Sequence, residues 1–296
     1  LDESEVDVNA RHTLCSFLKI IGLVVLLIIL PLCLGYRLSL ALIPVPQVAV
    51  IRIEGDIWGF YTDYISQALE EVGNDPAVRA VVLDIVSPGG EVSASEGLYF
   101  DVLKLRERKP VIVSIDEMAA SGAYYIASAA DLIYAKPGSA VGNIGVISVL
   151  PSDDMIDEQL ITTGPFKLSG GPQVAYIRQM ETLKQTFLAA IMAQRADRLR
   201  VGPEVLSRGE IYLGIQAQQM GLIDALGSQA EAVAAAAQMA RVRRYEVVDR
   251  TPWLPGYLFW YAFEPGDSSP RTAATVAAPP EYLPPGIYYR YVEPLP

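Results

Sequence analysis

The chain of 296 residues, 51% of them hydrophobic, has room for one sizeable α/β core with appended segments. Its net charge of −11 comes without the clustered Lys and Arg that phosphate backbones require, which argues against nucleic acid or an anionic lipid surface as a partner of the soluble part. Both cysteines, Cys15 and Cys33, and the single histidine, His12, lie at the N-terminal end, so within one chain the rest can build no disulfide framework, no cysteine or histidine metal site and no Ser-His-Asp triad; nothing calls for a cofactor.

In chain order, residues 1–16 read as a short cytoplasmic N-terminus. Residues 17–36 follow as an apolar run interrupted only by Lys19. The uncharged stretch 20–36 is close to the length that spans hydrocarbon, and Lys19 can snorkel to the interface. This predicts a single-pass transmembrane anchor. A cleaved signal peptide is the rival reading, but no clean small-residue cleavage site follows the run. Arg11 and Lys19 before the span, against Arg37 after it, place the N-terminus in the cytoplasm and the globular part outside it.

Between residues 47 and 248, short apolar runs alternate with helical stretches, the pattern of a parallel sheet covered by helices. Strands are predicted at 48–53, 80–86, 111–115, 132–135 and 144–148, and helices at 64–72, 93–106, 122–129 and 180–200. Asp75-Pro76 and Lys136-Pro137-Gly138 break the pattern between elements. Residues 251–296 are rich in proline and aromatic residues, a composition that predicts an extended tail without helix or central strand. The tail aromatics can pack on the globule, on a neighbouring subunit or at a membrane interface, and a partly ordered tail is the plainer alternative.

Two turns carry the candidate chemistry. The strand at 80–86 runs into Ser87-Pro88-Gly89-Gly90 and a helix, and two glycines allow bare backbone N–H groups to point outward, as an oxyanion hole requires. A tight strand-to-helix turn explains the same residues. The strand at 111–115 leads to Met118-Ala119-Ala120-Ser121-Gly122-Ala123-Tyr124-Tyr125, where a serine opens an apolar helix and Gly122 permits close approach of a substrate backbone. A simple N-cap is the competing explanation for Ser121.

Together the two turns, in the order strand, Ser-Pro-Gly-Gly, helix, strand, Met-Ala-Ala-Ser-Gly-Ala-Tyr-Tyr, helix, resemble the signal peptide peptidase A family. The likeness continues through residues 129–135, Gly142-Asn143-Ile144-Gly145-Val146-Ile147, and residues 209–224, and so covers most of 47–227. The resemblance implies an α/β fold of ClpP/crotonase type, a layered β-sheet with covering helices preceded by one N-terminal transmembrane helix. It also implies a Ser-Lys dyad that cleaves hydrophobic, signal-peptide-like peptides in or near the membrane. By the same resemblance, Ser121 is the nucleophile, and the N–H groups of Gly122 and of Gly89 or Gly90 form the oxyanion hole.

The general base departs from the family pattern. The family lysine stands in a Ser-Gly-x-x-Lys element, and the similar stretch here is Ser169-Gly170-Gly171-Pro172-Gln173, so Gln173 occupies the base position. The family serine that holds this lysine is replaced by Asn143. A neutral amide cannot accept the serine proton, and the two amides would suit one another as hydrogen-bond partners. Lys167, in the same loop, is an alternative base if the loop is shifted; Lys184, in an amphipathic stretch, is a weaker one. Short members of the family assemble as rings, so a homo-oligomeric ring, or a mixed ring in which an intact relative supplies the lysine, is a third route. The competing functions are therefore a membrane-anchored serine peptidase and a catalytically weakened homologue that binds peptides or assembles with active relatives. An acyl-CoA enzyme on the same fold has only the shared oxyanion hole in its favour.

Overall fold

The β-branched runs of the chain form strands that are buried on both faces. A computed structural model describes residues 17, 19, 21–42, 45–149, 163, 166–167, 170–253 and 286–290. These fall into two units that divide after Val45. In the first unit, an exposed apolar helix passes through a π-helical turn at Val25–Ile29 into α1 (Leu30–Leu42). The stretch Ile21–Leu38 is long and apolar enough to cross a membrane, as an anchor or a signal sequence near the N-terminus can be. The cytoplasmic reading of residues 1–16 lies outside the described residues.

The second unit is a mixed α/β sheet with helices on both faces. Its central strands are β1 (Gln47–Glu54), β2 (Val78–Ser87), β4 (Val111–Ala120) and β5 (Leu132–Ala135), flanked by β10 (Glu246–Asp249) and β9 (Ala225–Leu226) in the order β10-β1-β2-β4-β5-β9. Every pairing along that path is parallel. Ala49, Ile51, Val81, Leu83 and Val113 face α2 (Gly59–Asn74), α3 (Val92–Arg106), α4 (Gly122–Ser128) and α5 (Gln173–Arg195), while Val48, Val50, Ala80, Val82 and Ile112 face the helix Gln229–Met239. Burial on both faces is why these strands read as continuous apolar runs rather than as an alternation.

Strand β4 positions the rest. Its first half pairs with β5, from Ile112↔Leu132 to Ile115↔Ala135, and its second half pairs with β6 (Ala140–Gly142), from Met118↔Ala140 to Ala120↔Gly142. The short strand β8 (Ile211–Leu213) then adds antiparallel to β6. Five residues more of β4 than the expected 111–115 are therefore strand, because Met118 to Ala120 have a second set of partners.

The helix expected at 180–200 begins earlier and ends sooner, as α5. Of the strand expected at 144–148, only Ile147 and Ser148 are strand, in β7 (Ile147–Val149), and β6 precedes the expected range. The expectation that the tail makes no central strand is overturned by β11 (Gly286–Arg290). It lies between β3 (Gly89–Glu91) and β7 in a separate three-stranded sheet, antiparallel to both. Its sequence, Gly-Ile-Tyr-Tyr-Arg, is free of proline and suited to a strand, and a tail-wide composition averages that out. Tail residues 254–285 and 291–296 lie outside the described residues.

Candidate active site

Strand β4 ends at Ala120, and Ser121 turns the chain into α4 with φ 52° and ψ −120°. That region is unfavourable for a residue with a Cβ, and holding one there costs about 1–3 kcal/mol. The turn is held from both sides: Ser121 N–H donates to the Gly142 carbonyl at 2.7 Å, and the Ser121 carbonyl accepts from Tyr125 N–H at 2.9 Å. The N-cap explanation does not fit this geometry, since the side chain makes no capping bond and an N-cap ordinarily has extended dihedrals. Ser121 is only 1% exposed, yet its Oγ has no hydrogen-bond partner among the described residues. A buried hydroxyl left unpaired costs about 1–3 kcal/mol, so this residue combines strain with an unmet polar group.

The glycine turn stands next to it. Gly89 has φ 100°; its N–H donates to Ser87 Oγ at 3.1 Å and its carbonyl accepts from Ile57 N–H at 3.0 Å. Glu91 N–H in turn donates to the Ile57 carbonyl at 2.8 Å. Gly90 lies so close to this segment that a Cβ on it would stand 2.2 Å from the Ile57 carbonyl oxygen, which accounts for the second glycine. Gly122, as the first residue of α4, has an N–H with no acceptor within the helix. Cα atoms of β3 come within 8 Å of those of α4, so the two turns share one end of the sheet.

The structure separates the residues expected at the base. Gln173 is exposed, as the first residue of α5. Asn143 is partly buried, and its Nδ2 donates to the Gly209 carbonyl at 2.7 Å while its N–H donates to the Glu210 carbonyl at 2.8 Å. Asn143 also has φ 54°, a left-handed conformation that Asn adopts at lower cost than Ser. Lys167 is exposed in a turn. Lys184 ion-pairs with Glu181 at 2.6 Å and lines a cleft with Asn143, Ile144 and Gly209. With Ser121 Oγ unpartnered, none of these four groups is hydrogen-bonded to the proposed nucleophile.

Sequence reasoning passed over Gly142, whose carbonyl anchors Ser121. It has φ 112°, and a Cβ there would approach the Glu210 carbonyl and the Tyr212 ring at 3.2 Å. The adjacent pair Gly142-Asn143, two residue types that tolerate left-handed backbone, was the available signal.

Below the site, the helix sits on a fully paired polar junction. Tyr124 Oη donates to the Leu222 carbonyl at 2.8 Å, and burial pushes its hydroxyl well above the ordinary phenol range. Arg195, with a side chain 0% exposed, reaches Asp224 at 3.2 Å and the Gly221 carbonyl at 3.1 Å. Arg198 takes the other Asp224 oxygen at 3.1 Å, and Asp224 Oδ2 accepts from Ile133 N–H at 2.7 Å.

A family model described as "Peptidase family S49" matches residues 104–243. Protease 4 of Haemophilus influenzae is 32% identical over 219 residues, covering 67% of this chain and 35% of that protein. A putative protease of Methanocaldococcus jannaschii is 32% identical over 201 residues, covering 63% of this chain and 64% of its own length. A putative signal peptide peptidase of Enterococcus faecium is 27% identical over 187 residues, 58% of this chain and 54% of that protein. The chain thus spans about a third of the first of these relatives and under two thirds of the second. A solved membrane-bound stomatin-specific protease with a substrate peptide shares the fold, with TM-score 0.53, 17% identity and coverage of 74% of this chain and 99% of that one.

Proposed function

The chain belongs to peptidase family S49, of signal peptide peptidase A type, and from that membership we propose that it is a membrane-anchored serine peptidase acting on hydrophobic, signal-peptide-like peptides. The peptidase domain spans residues 47–248, the anchor residues 17–36, and the globular part lies outside the cytoplasm. The observation that carries the proposal is Ser121: a serine at the end of β4, strained and buried, whose hydroxyl makes no hydrogen bond among the described residues.

In the reaction, Ser121 Oγ attacks the scissile carbonyl and its proton passes to the leaving amine, which gives an acyl-enzyme that water then hydrolyses. The negative charge on the tetrahedral oxygen is held by the N–H of Gly122 and by that of Gly89 or Gly90 in the glycine turn. Preorganised backbone donors need no reorganisation at the moment of reaction, and the close packing of Gly90 on Ile57 keeps that turn rigid.

A second reading is favoured by a specific observation. Gln173, exposed, and Asn143, committed to Gly209, supply no base, and a missing general base is worth about 10²- to 10⁴-fold in rate. On that reading the chain is a weakened homologue that binds peptides, or that works in a ring with an intact relative whose lysine reaches Ser121.

Fluorophosphonate labelling separates the two. Wild type, Ser121→Ala, Lys167→Ala, Lys184→Ala and the double change Gln173→Lys with Asn143→Ser are compared. Labelling of wild type that Ser121→Ala abolishes supports the peptidase, and its loss in Lys167→Ala or Lys184→Ala identifies the base. Labelling confined to the double change supports the weakened homologue. Labelling that survives Ser121→Ala removes the nucleophile assignment.

A further inference from the structure

We infer that the chain carries its own occupant for the peptide slot: the C-terminal strand β11 lies where an extended substrate would pair, and holds the site closed until it is displaced. The inference rests on the peptidase reading for what the slot normally receives, but the pairing is a matter of backbone geometry. Strand β11 registers Tyr289 against Gly90 on one edge, and Tyr288 against Ile147 and Gly286 against Val149 on the other. In the glycine strand, the Gly89 carbonyl and the Glu91 N–H both turn toward Ile57. Alternate residues of a strand turn their polar groups to opposite edges, so the N–H and carbonyl of Gly90 turn toward Tyr289. By the same alternation, Tyr288 and Gly286 turn theirs toward β7. The tail segment therefore satisfies both edges of the slot, including the amide of one residue assigned to the oxyanion hole.

Two further observations agree with a closed site. Cα atoms of β11 lie within 8 Å of those of α4, the helix that Ser121 opens. Ser121 itself is buried, 1% exposed. Strand addition takes most of its affinity from main-chain hydrogen bonds, so any extended peptide of sufficient length competes with β11 for the same donors and acceptors. A peptide that finds the slot open only a fraction of the time binds with an affinity reduced by that fraction.

The test uses the full chain in detergent micelles and compares wild type with Tyr289→Pro, which removes the N–H facing Gly90. In wild type, amide exchange is expected to be slow at 286–290, at Gly90 and at Ile147–Val149. In Tyr289→Pro those amides are expected to exchange at least about tenfold faster, while β1 and β2 stay protected and report a folded core. A synthetic peptide spanning residues 284–292 then restores slow exchange at Gly90 and Ile147–Val149. Fluorophosphonate labelling of Ser121 rises about tenfold in the variant, as expected for a site that is open about a tenth of the time in wild type. Free-chain exchange at 286–290 in wild type, or protection of Gly90 and Ile147–Val149 unchanged by Tyr289→Pro, overturns the inference. Release of protection with no labelling of Ser121 in either form leaves the inference standing and removes the nucleophile instead.

Discussion

The turn at Ser121 and the junction around Asp224 adjoin the same short helix and treat buried polar groups in opposite ways. At the junction every charge has a partner: Arg195 and Arg198 divide the two oxygens of Asp224, and Arg195 also takes the Gly221 carbonyl. At the turn, Ser121 keeps a strained backbone and an unpaired hydroxyl. The difference teaches where this chain stores stability and where it gives some up. A network that ties β5 to α5 cannot tolerate a missing partner, whereas a reacting group is useful only if its hydroxyl is not already engaged.

The largest expected effect breaks the paired side. Asp224→Ala strands the fully buried Arg195 guanidinium and is expected to destabilise the protein by about 3–5 kcal/mol, measured by urea unfolding. A loss below about 1 kcal/mol would mean that the Gly221 carbonyl alone satisfies the charge.

Next comes the support of the site. Gly90→Ala puts a methyl group into the Ile57 backbone and is expected to cost about 1–3 kcal/mol, with slower fluorophosphonate labelling of Ser121. Equal stability with unchanged labelling would show that the glycine turn moves freely and is not a preorganised donor.

The unpaired side is expected to respond with the opposite sign. Ser121→Gly relieves the positive φ and removes the orphan hydroxyl, and is expected to raise stability by about 1–2 kcal/mol while abolishing labelling. A destabilised Ser121→Gly would place this serine with the structural polar groups and dissolve the contrast.

Asp84 is intermediate and gives the smallest effect. One carboxylate oxygen pairs with Arg52 at 3.1 Å and the other has no partner among the described residues, and burial raises its pKa above the ordinary 3.8 despite the nearby guanidinium. The folded chain then holds the proton more tightly than the unfolded chain, so Asp84 withdraws stability as pH rises from the unfolded value through the raised one. Asp84→Asn lacks this loss. Its stability relative to wild type is expected to improve on going from pH 3 to above that window and then to level off, as read from melting temperatures across pH. A difference that stays flat across the acid range would place the carboxyl in water.

Much of the scaffold was legible from local pattern. The strand at Leu132–Ala135 has the expected bounds, and the helix ending at Arg106 and the one beginning at Gly122 are bounded as expected at those ends, because apolar runs and small-residue turns mark them. Strand β4 was read five residues short, since its second half is strand only by virtue of β6. At the site, Ser121 and the glycine pair were visible as turn chemistry. The backbone strain at Ser121 and the commitment of Asn143 to Gly209 were not, because both depend on β6, β8 and the chain segment at Gly209–Glu210 closing around the turn.

By itself the sequence determined the order of the elements, the apolar N-terminal helix and the place of the single histidine, His12, ahead of the globular part, because periodicity, length and residue type are local properties. Only the tertiary structure decided that Gln173 stands exposed, that Asn143 answers to Gly209, and that residues 286–290 form a strand against Gly90. Those are pairings between distant segments. The free energy that selects them comes from backbone groups and surfaces that meet only after the sheet has formed, and no neighbouring residue in the chain records it.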